Sequence, residues 1–338
     1  MNLLESMRYL AALEQHRHFG RAAQASHITQ PALSNAIRAL EEELGVALVR
    51  RSRQYEGLTL EGELVLAHAH RLLHGAEALR QELASLAGTP RGALHIGAIP
   101  TAIPVAARFA ARLRGQHPGI RPVLHSLSSQ ALETGLETLS LDLALGYAER
   151  LPEGGRRFDL LPQYEESYFL IRRQLPGGPQ AAGASSAGLS SGPQSAASSG
   201  LHFGPPWGWA RAAEQPLVML TPEMHNRVVV ERALAAAGVP ASPAMETDSV
   251  LALLQAVLDD AAGELAAVLP GALVSTVRHQ PGWVVHPLEA PVVRTPISWI
   301  TAAATPPTRV LAAALTLARD EAWLAHLARH SGSLSAAE

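Results

Sequence analysis

Apolar residues recur at three- and four-residue spacing through the first part of the chain: Leu4, Met7, Leu10 and Ala11, then Phe19, Ala22 and Ala23, then Leu33, Ile37, Leu40 and Leu44. This spacing predicts three short helices, each with one apolar stripe. The pattern then changes to VALVRRSRQYEGLTL, two short apolar pieces around a polar loop, which reads as a small hairpin. Thr59 is placed to cap a helix over about residues 60 to 87, on which Val65, Ala69, Leu72, Ala76, Leu79, Leu83 and Leu86 repeat at four and three. A lone helix of about 40 Å cannot bury that seam by itself. It pairs with a second chain or lies on its own domain core.

GTPRG at 88 to 92 breaks the helix, and the character changes to short apolar runs between amphipathic stretches. ALHIGAI, RPVLHSL and LDLALGY alternate with helices over about 102 to 116 and 129 to 139; PLVML and AAVLP follow, with helices at about 225 to 237 and 249 to 260. Alternating strands and helices predict a parallel α/β sheet in two units. Residues 177 to 200 hold no charge and no aromatic ring, so a mobile surface insertion in the second unit is expected there. The final helical stretch, about 307 to 329, is expected to pack back on the first unit, and the tail SGSLSAAE to fray.

Composition narrows the chemistry. The formal charge is -3, so only a local surface could attract nucleic acid. There is no cysteine, which removes thiolate metal sites, cysteine nucleophiles, disulfides and thiol redox sensing. Every one of the 27 basic residues is Arg, which removes Schiff-base and Walker-type lysine chemistry. The start lacks the signature of a secretory leader and no stretch reads as a membrane span, so a cytoplasmic location is expected. No H-E-x-x-H or glycine-rich phosphate loop with Lys is present, and an enzyme is not expected.

The stretch SHITQPALSNAIRALEEELG carries the clearest functional signal. Two helices joined by a tight turn at His27 and Ile28 form a helix-turn-helix. Thr29 is a good cap, and Pro31 is tolerated in the first turn because the N–H it lacks would be unpaired there. With the leucines and Ile37 turned inward, Gln30, Pro31, Ser34, Asn35 and Arg38 face outward and suit a major groove. Arg50, Arg51 and Arg53 on the hairpin suit phosphates, while Glu41, Glu42 and Glu43 confine DNA to the first half of the helix. The alternative is a three-helix protein-interaction domain with a solvated polar face.

FGRAAQASHITQPALSNAIRALEEELGVALVRRS followed by LTLEG resembles the winged helix-turn-helix of the LysR-type transcriptional regulators, matching at Phe19, Ala22, Ala23, Thr29 to Ser34, Ile37, Leu40, Glu41, Leu44, Gly45, Arg50, Leu58, Thr59 and Gly62. It departs from the usual pattern at His27, Val49 and Glu61. The resemblance implies an amino-terminal DNA-binding domain at 1–60, a linker and dimerisation helix at 61–88, and an effector-binding domain at 93–330. That last domain is like a periplasmic binding protein, with a first half at 93–161 and 270–330 and a second at 162–268. It further implies a homodimer or homotetramer on double-stranded promoter DNA, contact with RNA polymerase, no cofactor, and a small metabolite in the cleft between the halves.

Clefts of such folds form at the carboxyl ends of strands, beside helix N-termini. Thr101, Ser128, Ser129 and Thr221 fall there, and their hydroxyls would suit a small anion, although each could simply cap a helix. Tyr147, His202, His225, Thr247 and Ser249 are further candidates. RHFGRAA also resembles peroxide-sensing members, but those depend on cysteine, so an organic acid such as formate is the expected class of effector. A binding protein without DNA-binding activity is the alternative reading.

Overall fold

The computed structural model describes residues 2–51, 55–85, 88–150, 157–174, 201–303 and 307–328. The amino-terminal unit consists of α1 (Leu3–His16), α2 (Phe19–Ala25) and α3 (Gln30–Leu44), then the antiparallel hairpin of β1 (Val49–Arg51) and β2 (Tyr55–Leu58). Leu10, Leu13, Leu33, Ile37, Leu40 and Leu48 are fully buried where these pieces meet. Leu4 and Leu44, both in the predicted stripes, are instead 37% and 40% exposed. Each lies at a helix end, where the stripe has run past the core.

α4 (Leu60–Ala84) starts at Thr59, whose Oγ1 accepts a hydrogen bond from the Gly62 N–H at 2.9 Å. The helix enters so close to the wing that a Cβ at Gly62 would stand 2.1 Å from the Leu48 carbonyl oxygen. Only glycine permits that approach. Val65 packs against the amino-terminal core and Ala69 is buried, whereas Leu72, Leu79 and Leu83 remain exposed. The heptad pattern therefore has two destinations along one helix.

The first α/β unit contains β3 (Gly92–Ala98), α5 (Ile103–Gln116), β4 (Ile120–Ser126), α6 (Ser129–Glu137) and β5 (Leu143–Tyr147), and leads into the long β6 (Phe158–Arg173). The second contains β7 (His202–Phe203), β8 (Trp207–Gly208), α7 (Trp209–Ala213), β9 (Leu217–Leu220), α8 (His225–Ala236), β10 (Pro243–Thr247), α9 (Val250–Asp259), β11 (Ala266–Pro270), α10 (Gly271–Val274) and β12 (Trp283–Glu289). β13 (Arg294–Ala302) returns to the first unit, which α11 (Arg309–Ala318) and α12 (Glu321–Leu327) complete.

β3 is parallel to β4 and β5, and β9 is parallel to β10 and β11. The sheet is mixed rather than wholly parallel, because β6 and β13 carry the chain between the units in opposite directions and pair antiparallel with each other. β13 also runs antiparallel to β5, and β6 to β11 and β12. The expected first half at 270–330 needs correction at its start: α10 and β12 belong to the second unit. β12 pairs with the far end of β6, and Leu273, Val274, Trp283 and Val285 fill the second unit's core. The return begins only with β13.

In the first unit Phe109 packs on Trp299 and Trp323, with ring centroids 4.7 and 5.3 Å apart. Val310, Ala314 and Leu317 of α11 close the same core, so the final helices do lie on this unit. No helix among the described residues is long and apolar enough to cross a membrane. The insertion expected at 177–200, Arg53, Leu86 and the tail lie outside the described residues.

Candidate functional site

Two regions gather the residues singled out by the sequence. The first is α3. Thr29 Oγ1 accepts from the Ala32 N–H at 3.3 Å, Pro31 occupies the first turn, and Gly45 ends the helix at φ 71°. With Leu33, Ile37 and Leu40 fully buried, Gln30, Pro31, Asn35 and Arg38 are exposed and Ser34 is half-buried between them. Arg38 Nη1 donates to Asn35 Oδ1 at 3.2 Å, so these two side chains already share one polar edge.

The acidic run behaves less uniformly than its sequence suggests. Glu41 Oε1 accepts the Leu48 and Val49 N–H groups at 2.9 and 3.2 Å, fastening α3 to the wing. Glu42 and Glu43 stay exposed. On the wing Arg50 is exposed opposite Gly57, and the Arg51 backbone pairs with Tyr55. Tyr55 donates its hydroxyl to Glu14 and stands edge-on to Phe19 at 6.1 Å, which ties the hairpin to α1 and α2. Burial, then the Glu14 carboxylate, pushes the Tyr55 phenol up.

The second region lies between the α/β units. A small cavity of about 20 Å³ is lined from one side by Thr101, Ser128, Ser129 and Tyr147 and from the other by His225 and Asn226. The N-terminal ends of α5, α6 and α8 meet there. Thr101 does not cap α5: that helix has Ala102 at its cap position with no side-chain bond, and Thr101 Oγ1 instead faces the Tyr147 hydroxyl at 3.4 Å. Ser128 does cap α6, accepting from the Ala131 N–H at 3.3 Å, whereas the buried Ser129 Oγ has no partner. His225 packs at a tilt of 57° against Tyr147 with centroids 4.5 Å apart, and its Nε2 lies 3.5 Å from Glu149 Oε1 across the cleft.

Behind Tyr147 lies a buried polar layer that sequence reasoning missed. Tyr164, Glu166 and Tyr168 project from alternate positions of β6, as the period of a strand requires. Tyr164 donates to Glu166 Oε1 at 3.3 Å, Glu166 Oε2 has no partner, and the Tyr168 hydroxyl lies 3.2 Å from Thr295 Oγ1. Glu166 is fully buried, and burial pushes its carboxyl up to about 8 against the opposing Tyr164 bond. It is therefore a neutral acid at pH 7. Burial likewise pushes Tyr147, Tyr164 and Tyr168 up. Asn226, also missed, is 5% exposed with Nδ2 unpartnered. The every-second-residue polar pattern of QYEESY was the available signal; Asn226 had none beyond its place after His225.

The remaining candidates separate. Thr221 and Thr247 sit at the ends of β9 and β10, joined by the Thr221 N–H to the Thr247 carbonyl at 3.0 Å, and neither lines the cavity. Thr247 Oγ1 accepts from the Ser249 N–H at 3.1 Å, and Ser249 caps α9. His202 lies elsewhere: it is on β7, paired with Val284 of β12, because that short strand extends the far edge of the second sheet. The cavity lining includes no Arg; hydroxyls, an amide, an imidazole and one carboxylate, Glu223, meet there. Such a set suits a small polar molecule held by neutral donors and helix ends.

Comparison with known proteins agrees with this architecture. The Escherichia coli (strain K12) DNA-binding transcriptional dual regulator OxyR is 35% identical over 143 residues, 42% of this chain and 47% of that protein. The SDS degradation transcriptional activation protein of Pseudomonas sp. (strain ATCC 19151) is 41% identical over 149 residues, 42% of this chain and 49% of that protein. These matches span about half the length of each relative. Among solved structures, a full-length OxyR variant from Pseudomonas aeruginosa superposes with a TM-score of 0.64 at 26% identity, covering 94% of this chain and 95% of that one. Full-length CbnR complexed with its target DNA gives 0.62 at 20% identity over 94% and 98%, a likeness of fold. Residues 4–63 match the bacterial regulatory helix-turn-helix family named for LysR, and residues 87–179 and 194–323 match the LysR substrate binding domain. With most of its length covered by those two descriptions, the chain belongs to the LysR family of bacterial regulatory helix-turn-helix proteins.

Proposed function

We propose that this protein is a DNA-binding transcriptional regulator in which α3 reads promoter DNA and a small metabolite in the cleft between the α/β units sets the response. The observation that carries the reading is the polar edge of Gln30, Asn35 and Arg38, exposed with Ser34 half-buried between them, on a capped helix whose opposite face buries Leu33, Ile37 and Leu40. The relatives named as transcriptional regulators support it. Arg50 of the wing, with Arg51 and Arg53 next to it in sequence, would supply phosphate contacts that fix register without reading bases. The exposed Leu72, Leu79 and Leu83 of α4 favour a dimer, which presents two such helices to a partly symmetric site.

The effector is a small anion or organic acid bound by hydroxyls and helix N-termini around Thr101, Ser128, Ser129 and Tyr147. A peroxide response of the cysteine type is outside its chemistry, since the chain has no cysteine. RNA polymerase is the partner through which the response would be transmitted.

Gel shifts with duplexes from the gene's own upstream region, at two salt concentrations, test the DNA reading. Binding is expected to be sequence-selective and to weaken steeply with salt. Ser34→Ala and Arg38→Ala should each reduce discrimination between operator and random duplex, by about 1–3 kcal/mol where a base contact is lost, while Arg51→Ala weakens both duplexes together. Equal affinity of the unaltered protein for operator and random duplex would overturn the proposal.

A further inference from the structure

A second polar cluster lies in the second unit, and none of its residues lines the cleft. Trp207 of β8 stacks on His286 of β12 with ring centroids 4.2 Å apart and planes at 25°. The Arg211 guanidinium of α7 stands 4.0 Å from the Trp207 ring centroid, and that of Arg172 of β6 stands 5.6 Å from it. Both distances are those of cation–π contacts. His202 of β7 adds a further imidazole close enough to act on His286.

Donors outnumber acceptors in the cluster. Arg172 Nε, Trp207 Nε1 and His286 Nε2 are all buried without a hydrogen-bond partner. Trp207 and His286 are themselves 6% and 4% exposed. His286 Nδ1 faces the Pro205 carbonyl oxygen at 2.9 Å, so Nδ1–H donates and Nε2 is left bare in the neutral ring. Burial first, then the charges of Arg172 and Arg211, holds that imidazole below its usual range. Among the described residues neither Arg172 nor Arg211 forms an ion pair with a carboxylate. Residues 175–200, which follow β6 in the chain, contain no Asp or Glu. Buried polar groups are nearly always paired, and the unpaired N–H groups of Arg172 and Trp207, beside two guanidiniums without a carboxylate partner, mark the place of a missing acceptor.

We propose that this cluster is a binding site for a small oxyanion, held by the guanidiniums of Arg172 and Arg211 and the indole N–H of Trp207. One anion supplies acceptors to Arg172 Nε and Trp207 Nε1 and compensates two cations at once. His286 Nε2 becomes a third donor when the ring takes up a proton beside the bound charge. Arg211 is exposed and lies over the indole face.

The test is titration of the full chain with inorganic phosphate, with acetate as a second arm, at ionic strength held constant with sodium chloride, read by Tm and by isothermal calorimetry. Saturable binding in either arm is expected, and the two arms distinguish a tetrahedral oxyanion from a planar carboxylate. Arg172→Gln with Arg211→Gln should lower that affinity by at least about tenfold, the loss of one charge-assisted hydrogen bond, while operator binding persists. No saturable binding in either arm overturns the proposal, and so does binding that survives the double substitution, since that would place the anion in the cleft. If the double variant fails to fold, Trp207→Phe keeps a ring and removes the N–H; an affinity unchanged by it is equally decisive against the site.

Discussion

Glu166 shows how one residue can govern both stability and the cleft's charge. It sits fully buried behind Tyr147 with one oxygen unpartnered, and its carboxyl is raised from 4.5 to about 8. Below about pH 4.5 the group is protonated in folded and unfolded chains alike. Between there and about pH 8 the unfolded chain releases the proton and the folded chain keeps it, so stability falls as pH rises through that window. The full effect has an upper bound of about 5 kcal/mol at about 1.4 kcal/mol per pKa unit. Glu166→Gln keeps the shape and removes the ionisation. Its urea midpoint should therefore decline less than that of the unaltered protein between pH 5 and 8; parallel curves would show that Glu166 is not the group responsible. An ionised Glu166 would also repel an anionic effector, so the same substitution should flatten any loss of effector affinity as pH rises through about 8.

At the scale of elements, legibility depended on whether a pattern had one physical cause. α3 was readable because its cap, its proline and its buried stripe all point to the same helix, and Thr29, Pro31, Leu33, Ile37 and Leu40 behave accordingly. In the cleft, Thr101, Ser128, Ser129, Tyr147 and His225 meet because strand ends and helix starts are local signals. His202 was misplaced because a two-residue strand is chosen by pairing with β12, which no local pattern reveals. Glu166 was missed for a related reason: a carboxyl on a strand reads as solvated until the neighbouring strands bury it. α4 is the mixed case, with one repeat serving two surfaces. Its Leu72, Leu79 and Leu83 are 49%, 58% and 58% exposed. Covering the exposed half of each leucine contributes on the order of 1 kcal/mol, and two copies that both present the stripe double the gain. Leu72→Glu with Leu79→Glu places like charges across such a seam and should shift the protein to monomer in sedimentation velocity, with little change in far-UV circular dichroism. An unchanged sedimentation coefficient would place the dimer contact elsewhere.

The whole molecule has separate cores joined by thin polar contacts. The amino-terminal core shares no residue with the cores of the α/β units. What links α4 to the first unit is a few bonds: Gln81 Nε2 donates to the Ala93 carbonyl at 3.0 Å, Arg309 Nη1 donates to the Ser85 carbonyl at 2.8 Å, and His74 Nδ1 lies 3.6 Å from Asp142 Oδ1. Asp142 is itself held by the His95 N–H at 2.7 Å, while burial pushes its carboxyl up. At about 1 kcal/mol per neutral hydrogen bond, and about 1.5–3 where a charged group takes part, these contacts couple the units by only a few kcal/mol. The two α/β units, by contrast, share the continuous strand β6, whose near part pairs with β13 and whose far part pairs with β11 and β12. Opening one unit removes the partner of a strand that the other also needs. Calorimetry at fixed protein concentration should therefore show the amino-terminal unit melting separately from a single transition of the paired α/β units. Gln81→Ala with Arg309→Ala should lower one of the two transitions by a few degrees and leave the other in place, because the lost bonds lie in neither core. One cooperative transition for the entire chain, unchanged by both substitutions, would mean that the units are coupled by something stronger than these contacts.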